Sequence, residues 1–220
     1  MFWILLNFMY EIFLDPETTG LSFKDGHKIV EIACIETKDL IPTGKVFHKH
    51  VNPKRSMPDE AFKIHGFSEN FLQDKESFNQ IADEFLNFIR NKKIIIHNAS
   101  FDIGFLNFEL EKLSKPTIEQ DRVVDTIKIA RQRFPGQQVS LDALIKKLKI
   151  NTLINRDQHG ALKDAKLLTD VYLELQGINQ IGLELNEKKT EKINLASEPN
   201  YASIVLTKEE TEAHKEFIKN

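Results

Sequence analysis

The sequence has a single cysteine, Cys34, among its 220 residues. One cysteine excludes an intrachain disulfide and excludes a thiolate cluster that could hold a metal. Its neighbours in Ile32-Ala33-Cys34-Ile35 are apolar, so an inert core thiol is expected, and a reducing cytoplasmic setting fits. A large excess of charge of one sign is also missing: 30 basic against 33 acidic residues leave −3 at pH 7. That balance argues against gripping nucleic acid through bulk positive charge, but leaves open action on nucleic acid through bound metal ions. A membrane-spanning run is missing as well. The apolar start, MFWILLNFMYEIFL, has fourteen residues, whereas a spanning helix needs about 20. It is not a signal peptide either, because no Lys or Arg precedes Lys24 and no small residue precedes Asp15. It reads as a buried strand behind an N-terminal extension at residues 1–8, with Met9 a natural start. There is no internal repeat and no low-complexity tract.

What is present suits a folded domain: 41% hydrophobic and 29% charged residues can build and solvate a core. Tyr10 to Asp15 reads as a first strand that ends in a Pro/Gly-punctuated turn at Pro16 to Gly20. Lys28 to Glu36 and Lys45 to Val51 alternate as further strands, and the short connections favour antiparallel pairing. Met57 to His65 suits a short helix closed by a turn at Gly66. Ser77 to Arg90 carries apolar residues at helical period. Lys93 to His97 is an apolar run suited to a buried parallel strand. Ser100 to Leu113 is helical, Arg122 to Asp125 a fifth strand, Ser140 the cap of a helix through Leu148, and Leu162 to Leu175 the last strong helix. The order predicts an α/β domain, a mixed five-stranded sheet flanked by helices, over residues 9–178. The charged stretch at 186–192 reads as a linker within a tail at 179–220.

Five residues stand out as carriers of chemistry: Asp15, Glu17, Asp102, His159 and Asp164. Asp15 and Glu17 are two apart at a strand end, so both carboxylates share a face. Adjacent acids repel unless a cation lies between them, and hard ions such as Mg²⁺ or Mn²⁺ prefer oxygen ligands. Taken alone, Asp-x-Glu is more often a solvated strand end. Asp102 lies in the first turn of a helix that follows a strand, where ligands collect in α/β sheets. A helix-start acid facing the dipole is the bland alternative. His159 sits on a loop ahead of Asp164, with Gly160 expected to let that loop turn sharply. A lone loop histidine is usually just solvated.

Together the three pieces resemble the motifs of the DEDDh exonuclease family: Asp15-Pro16-Glu17-Thr18-Thr19-Gly20, His97-Asn98-Ala99-Ser100-Phe101-Asp102, and His159-Gly160-Ala161-Leu162-Lys163-Asp164. Lys28-Ile29-Val30-Glu31-Ile32, Ile64-His65-Gly66 and Val171-Tyr172-Leu173 extend the likeness across Met9 to Gly177, and it includes the family's proofreading exonucleases of bacterial replicases. The resemblance implies a ribonuclease-H-like fold that removes nucleotides from a DNA 3′ end. It implies two divalent ions, Mg²⁺ or Mn²⁺, with Asp15 bridging them, Glu17 and Asp164 on the first and Asp102 on the second. His159 would deprotonate the attacking water, and imidazole titrates close to neutrality. Thr18, Glu60 and His65 would contact the terminal nucleotide, and Asn98 and Phe101 would line the same pocket. Where the family usually has Thr, this chain has Pro16. Proline is unwelcome inside a central strand, so the strand is expected to end at Asp15 or lose a ladder bond, at a cost in metal affinity if Glu17 is displaced.

In the tail, Gln180, Leu183 and Leu185 resemble a sliding-clamp-binding peptide, with Leu185 in place of the more usual aromatic. Residues 201–218, with a Thr207/Glu210 capping box, resemble the segment that docks on the polymerase (alpha) subunit. A theta-like small subunit is a further partner implied by the same resemblance; no membrane partner is. Two other readings stand beside the proofreading enzyme: a free-standing exonuclease on RNA or repair intermediates, and a non-catalytic adaptor between polymerase and clamp. An adaptor would not require Asp15, Glu17, Asp102, His159 and Asp164 all at once.

Overall fold

The computed structural model describes residues 10–150 and 159–177. Residues 1–8, Gln180, Leu183, Leu185 and the rest of the tail lie outside the described residues. Chain contacts place all the described residues in one compact unit.

Among these residues five strands and seven α-helices follow one another: β1 (Tyr10–Thr18), β2 (Ile29–Lys38), β3 (Ile41–His50), α1 (Asp59–His65), α2 (Glu69–Leu72), α3 (Phe78–Ile89), β4 (Lys93–Ile96), α4 (Ala99–Lys112), β5 (Val123–Asp125), α5 (Thr126–Arg133), α6 (Leu141–Lys147) and α7 (Ala161–Leu175). The sheet order is β3-β2-β1-β4-β5. The pairs β1/β2 and β2/β3 are antiparallel, while β1/β4 and β4/β5 are parallel. This is the mixed five-stranded sheet expected from the element order. No helix among the described residues is long and apolar enough to cross a membrane.

The sheet is apolar on both faces, which is why its central strands read as continuous hydrophobic runs. Period-2 alternation sorts them. Ile12, Leu14, Ile32, Cys34, Ile94 and Ile96 pack with α3 and α4. Phe13, Ala33, Ile35 and Ile95 pack with α5, α6 and α7. Cys34 is fully buried, and burial pushes its thiol pKa up, which agrees with an inert core thiol. Local signals set the helix ends. Gln80 Oε1 accepts the Ser77 N–H at 2.8 Å, Ser140 Oγ accepts from the Ala143 N–H at 3.3 Å, and Gly66 closes α1 in the left-handed region at φ 76°.

Two sequence expectations change. First, β1 does not end at Asp15. It continues through Pro16, opposite Ile32, to Thr18, with a register shift between Glu17 and Thr18. The parallel neighbour β4 pairs only with Glu11–Phe13. Pro16 therefore lies where one side of the strand has no ladder partner among the described residues, which is where proline is tolerated. Second, Gly160 is extended (φ −170°, ψ 130°), a conformation open to any residue, so no sharp glycine turn precedes α7. In addition, a helix that the sequence reading did not mark, α5, starts directly from β5, with Asp125 Oδ1 accepting the Ile127 N–H at 2.9 Å. The β-branched residues Thr126, Ile127 and Ile129 hide that helix in the sequence, because they read as strand.

The core should respond to truncation as a well-packed interior does. Phe85 is fully buried, between the rings of Phe47 at 5.8 Å and Phe78 at 6.4 Å. Chemical denaturation of Phe85→Ala is expected to show a loss of about 3–5 kcal/mol. Phe62→Ala, at a ring 44% exposed, should stay within about 0.5 kcal/mol of the parent. Equal losses at the two positions would contradict this assignment of the core.

Candidate active site

The predicted residues converge at the C-terminal end of β1. Asp15 and Glu17 stand there two residues apart. Because β4 runs parallel to β1, α4 begins at the same end of the sheet, and Asp102 lies buried in its first turn. Asp164 lies buried in the first turn of α7. That helix packs on the opposite face of the sheet from α4. The two acids thus reach the strand end from the two helical layers.

The start of α7 is held at several points. Glu31, buried on β2, accepts the Ala161 N–H through Oε2 at 2.7 Å. The His159 N–H donates to the Ile64 carbonyl at 3.0 Å. His159 Nδ1 lies 2.9 Å from Asp164 Oδ2. Against an ionised carboxylate, which can only accept, Nδ1 is the donor of this pair and Nε2 is left as the ring's other nitrogen. One ligand atom each from Glu17, His159 and Asp164 lie within 4.8 Å of one another.

The electrostatics of this cluster are unfavourable without a cation. Burial raises the Asp15 pKa well above the usual carboxylate range, and the charges of Asp102, Glu17, Asp164 and Glu31 raise it further. Asp102 is raised well above that range too, first by burial, then by Glu17 and Asp125. Carboxylates that would rather be protonated than face one another form a donor set that fits a hard divalent cation, since the ion supplies the missing positive charge.

Beside the cluster lies a cleft of about 480 Å³. Glu17 belongs to both. The cleft is also lined by Thr18, Glu60, His65 and Phe101, four of the residues expected to meet a nucleotide. Thr18 Oγ1 donates to the Gly20 carbonyl at 2.7 Å, which fixes its rotamer and leaves its lone pairs available. Phe101 rests on Phe105, ring to ring at 5.0 Å, so it serves the core as well as the cleft. His65 Nδ1 accepts the Phe67 N–H at 3.1 Å, and its Nε2 is buried without a partner. Burial lowers its pKa to about 4. The ring is thus neutral near pH 7, and its Nε2–H is buried and unspent. Asn98 departs from the expectation, because it does not line this cleft. Its left-handed backbone (φ 72°, ψ 52°) starts α4 instead, and its N–H donates to Asp125 Oδ1 at 3.3 Å.

Two contributors escaped the sequence reading of the site. Glu31 pins α7, and Asp125 adds to the field on Asp102. The signal for Glu31 was a lone acid inside the apolar run Ile29-Val30-Glu31-Ile32-Ala33, because a charge buried in a strand needs a partner. No comparable signal marks Asp125, which sits at a strand end like many acids.

Comparison with known proteins fits this geometry. The exonuclease family RNase T matches residues 12–172. DNA polymerase III subunit epsilon of Rickettsia felis is 47% identical over 98% of this chain and 98% of that relative. The Escherichia coli K12 protein of the same name is 41% identical over 76% of this chain and 71% of its own length. Among solved structures, exonuclease X in complex with 5′-overhanging duplex DNA is 26% identical at a TM-score of 0.59, covering 78% of this chain and 93% of that one. The nuclease domain of 3′hExo, a DEDDh family member bound to rAMP, shares the fold at a TM-score of 0.67 and 15% identity, over 80% of this chain and 94% of that one. With relatives matched along nearly its whole length and its motif residues gathered at one strand end, the chain belongs to the exonuclease family and, within it, to the DNA polymerase III epsilon subunits.

Proposed function

We propose that this protein is a proofreading 3′–5′ exonuclease that removes mispaired 3′-terminal nucleotides from DNA by phosphodiester hydrolysis, releasing 5′-mononucleotides. The observation that supports it most is the convergence of Asp15, Glu17, Asp102 and Asp164 beside His159 at the edge of a nucleotide-sized cleft. In this reading Asp15, Glu17, Asp102 and Asp164 would hold two divalent cations, Mg²⁺ or Mn²⁺. Bound there, the ions supply electrostatic stabilisation of the attacking and leaving oxygens of an in-line displacement. His159, oriented through Nδ1 by Asp164, takes the proton of the attacking water on Nε2. Water oxygen bonds to phosphorus as the bond from phosphorus to the 3′ oxygen breaks, and that oxygen is protonated from solvent. His65, Glu60 and Thr18 line the cleft that takes the terminal nucleotide, and Phe101 backs its base or sugar.

The same proposal covers the ends of the chain. Residues 9–178 act as the catalytic domain, with 1–8 as an extension. Residues 179–220 join the enzyme to the polymerase subunit, and Gln180, Leu183 and Leu185 contact a sliding clamp. A theta-like small subunit is a further partner, and the assembly works in the cytoplasm. Preference for mismatches follows from fraying, since an unpaired end costs less to separate from its template.

The direct test is a primer with a 3′ mismatch, incubated with Mg²⁺ or Mn²⁺. The parent should release 5′-mononucleotides, His159→Gln should be slower by about 10²–10⁴-fold, and Asp15→Asn by at least about 10²-fold. No release, or release that survives Asp15→Asn, defeats the reading, and activity on RNA but not on DNA defeats its replicative form.

Stability should move opposite to activity at Asp15. Because burial and neighbouring acids oppose its charge, Asp15→Asn is expected to melt several degrees higher than the parent in chelator at pH 7, by removal of a repelled buried charge. A lower melting temperature would show that the carboxylate is not in conflict with its surroundings.

His65 supplies a pH signature. Its folded pKa is depressed to about 4 from about 6.5 unfolded. The unfolded chain therefore binds more protons between these values, and the contribution of His65 to stability is complete above pH 6.5 and lost as pH falls through 4. The stability difference between the parent and His65→Gln should thus grow in favour of the parent from pH 4 to 6.5 and then level off. A flat difference across that window would rule out a buried neutral imidazole.

A further inference from the structure

A second group of metal-ligating side chains converges on the sheet, among residues that the proposed chemistry does not use. The β2/β3 register sets Glu31 opposite His50 and Ala33 opposite His48. Residues two apart share a face, so His48 and His50 project on the same side as Glu31. Glu31 Oε1 is 2.6 Å from His48 Nε2 and 3.6 Å from His50 Nε2. One donor atom from each of the three lies within 4.8 Å of the others. The carboxylate side chain is 4% exposed, and the imidazoles are 30% and 27% exposed, so a small ion can enter from solvent and reach a buried anion.

A hydrogen bond from His48 to Glu31 accounts for the shorter distance alone. It does not account for the second imidazole facing the same oxygen beyond hydrogen-bond range. That ring is held in place by edge contacts to Phe67 at 4.9 Å and Phe71 at 5.0 Å. We propose that Glu31, His48 and His50 form a binding site for an imidazole-preferring divalent cation such as Zn²⁺, with donor atoms of its own beside the carboxylate cluster, since Glu31 pairs opposite Glu17. Two imidazole nitrogens and one carboxylate oxygen are the borderline donor set that favours zinc over magnesium. Metal–donor bonds of about 2.0–2.1 Å in tetrahedral geometry place the donors about 3.3 Å apart. The 2.6 Å contact must open and the 3.6 Å contact must close, each by less than 1 Å. Three protein ligands leave a fourth position to water, so binding is exchangeable. The other carboxylate oxygen of Glu31 already accepts the Ala161 N–H. Occupancy therefore fixes the carboxylate that pins the start of α7.

The full-length chain, saturated with Mg²⁺ to cover the carboxylate cluster, should be titrated with Zn²⁺ by calorimetry and with Co²⁺ by visible absorption. The parent is expected to bind Zn²⁺ saturably and to give a tetrahedral Co²⁺ band. His159→Gln should retain both, whereas His48→Gln and His50→Gln should each lose the band and weaken Zn²⁺ binding by at least about 10-fold. Zn²⁺ should also raise the melting temperature of the parent and not of the two variants. Circular dichroism in chelator establishes that the variants fold, and either histidine variant alone suffices for the comparison. Absence of Zn²⁺ binding in the Mg²⁺-saturated parent, or affinity and spectrum unchanged in a folded histidine variant, overturns the proposal.

Discussion

The constraint that organises this protein is the close approach of like charges where water is scarce. Asp15, Asp102 and Asp164, with Glu17 beside them, are brought within each other's fields, and in a partly desolvated setting such repulsions amount to several kcal/mol. A single flexible loop could not hold them there. Asp15 is on the central strand, Asp102 on a helix packed on one face of the sheet, and Asp164 on a helix packed on the other. The two apolar layers hold the carboxylates together. Placing Asp102 and Asp164 in the first turns of α4 and α7 eases the conflict, because the positive ends of the helix dipoles face the acids.

The second requirement is that α7 begin in the right place, and a buried acid meets it. Glu31 accepts the Ala161 N–H at 2.7 Å and faces His48 at 2.6 Å. One oxygen sets the first free N–H of α7, and the other is satisfied by an imidazole. Removing either partner would leave a buried carboxylate short of a donor, the costly kind of loss. The histidines of β3, remote from the carboxylate cluster in sequence, thus bear on how firmly Asp164 and His159 are presented.

The sheet was legible because its strands obey simple periodicities. Continuous apolar runs at Ile12–Leu14 and Ile94–Ile96 marked the centre, and the alternation along β2 marked its neighbour. The site was legible because each acid sits beside a recognisable element end. What stayed hidden depended on distances through space. The unspent donor of His65 requires knowing that Phe67 has already taken Nδ1. The pinning role of Glu31 requires knowing that α7 arrives beside β2. The helix α5 was obscured by its β-branched start, where tertiary packing prevails over local propensity. Gly160 invited a turn that the chain does not make.

Pro16 shows how strand pairing and chemistry fit together. Beyond Phe13 the strand β1 has outrun its parallel neighbour, while β2 still backs it as far as Thr18. The overhang from Leu14 to Thr18, about 13 Å at 3.3 Å per residue, carries Asp15, Glu17 and Thr18. A fully paired strand would leave little room beside those carboxylates for ions or a nucleotide. The overhang opens that side, and α4, starting at Ala99, enters it with Asp102 in its first turn. Proline is admissible there because the N–H it lacks matters least where a strand has lost a neighbour. The substitution that looked like damage to the motif falls in the one stretch of β1 whose incomplete pairing the site requires.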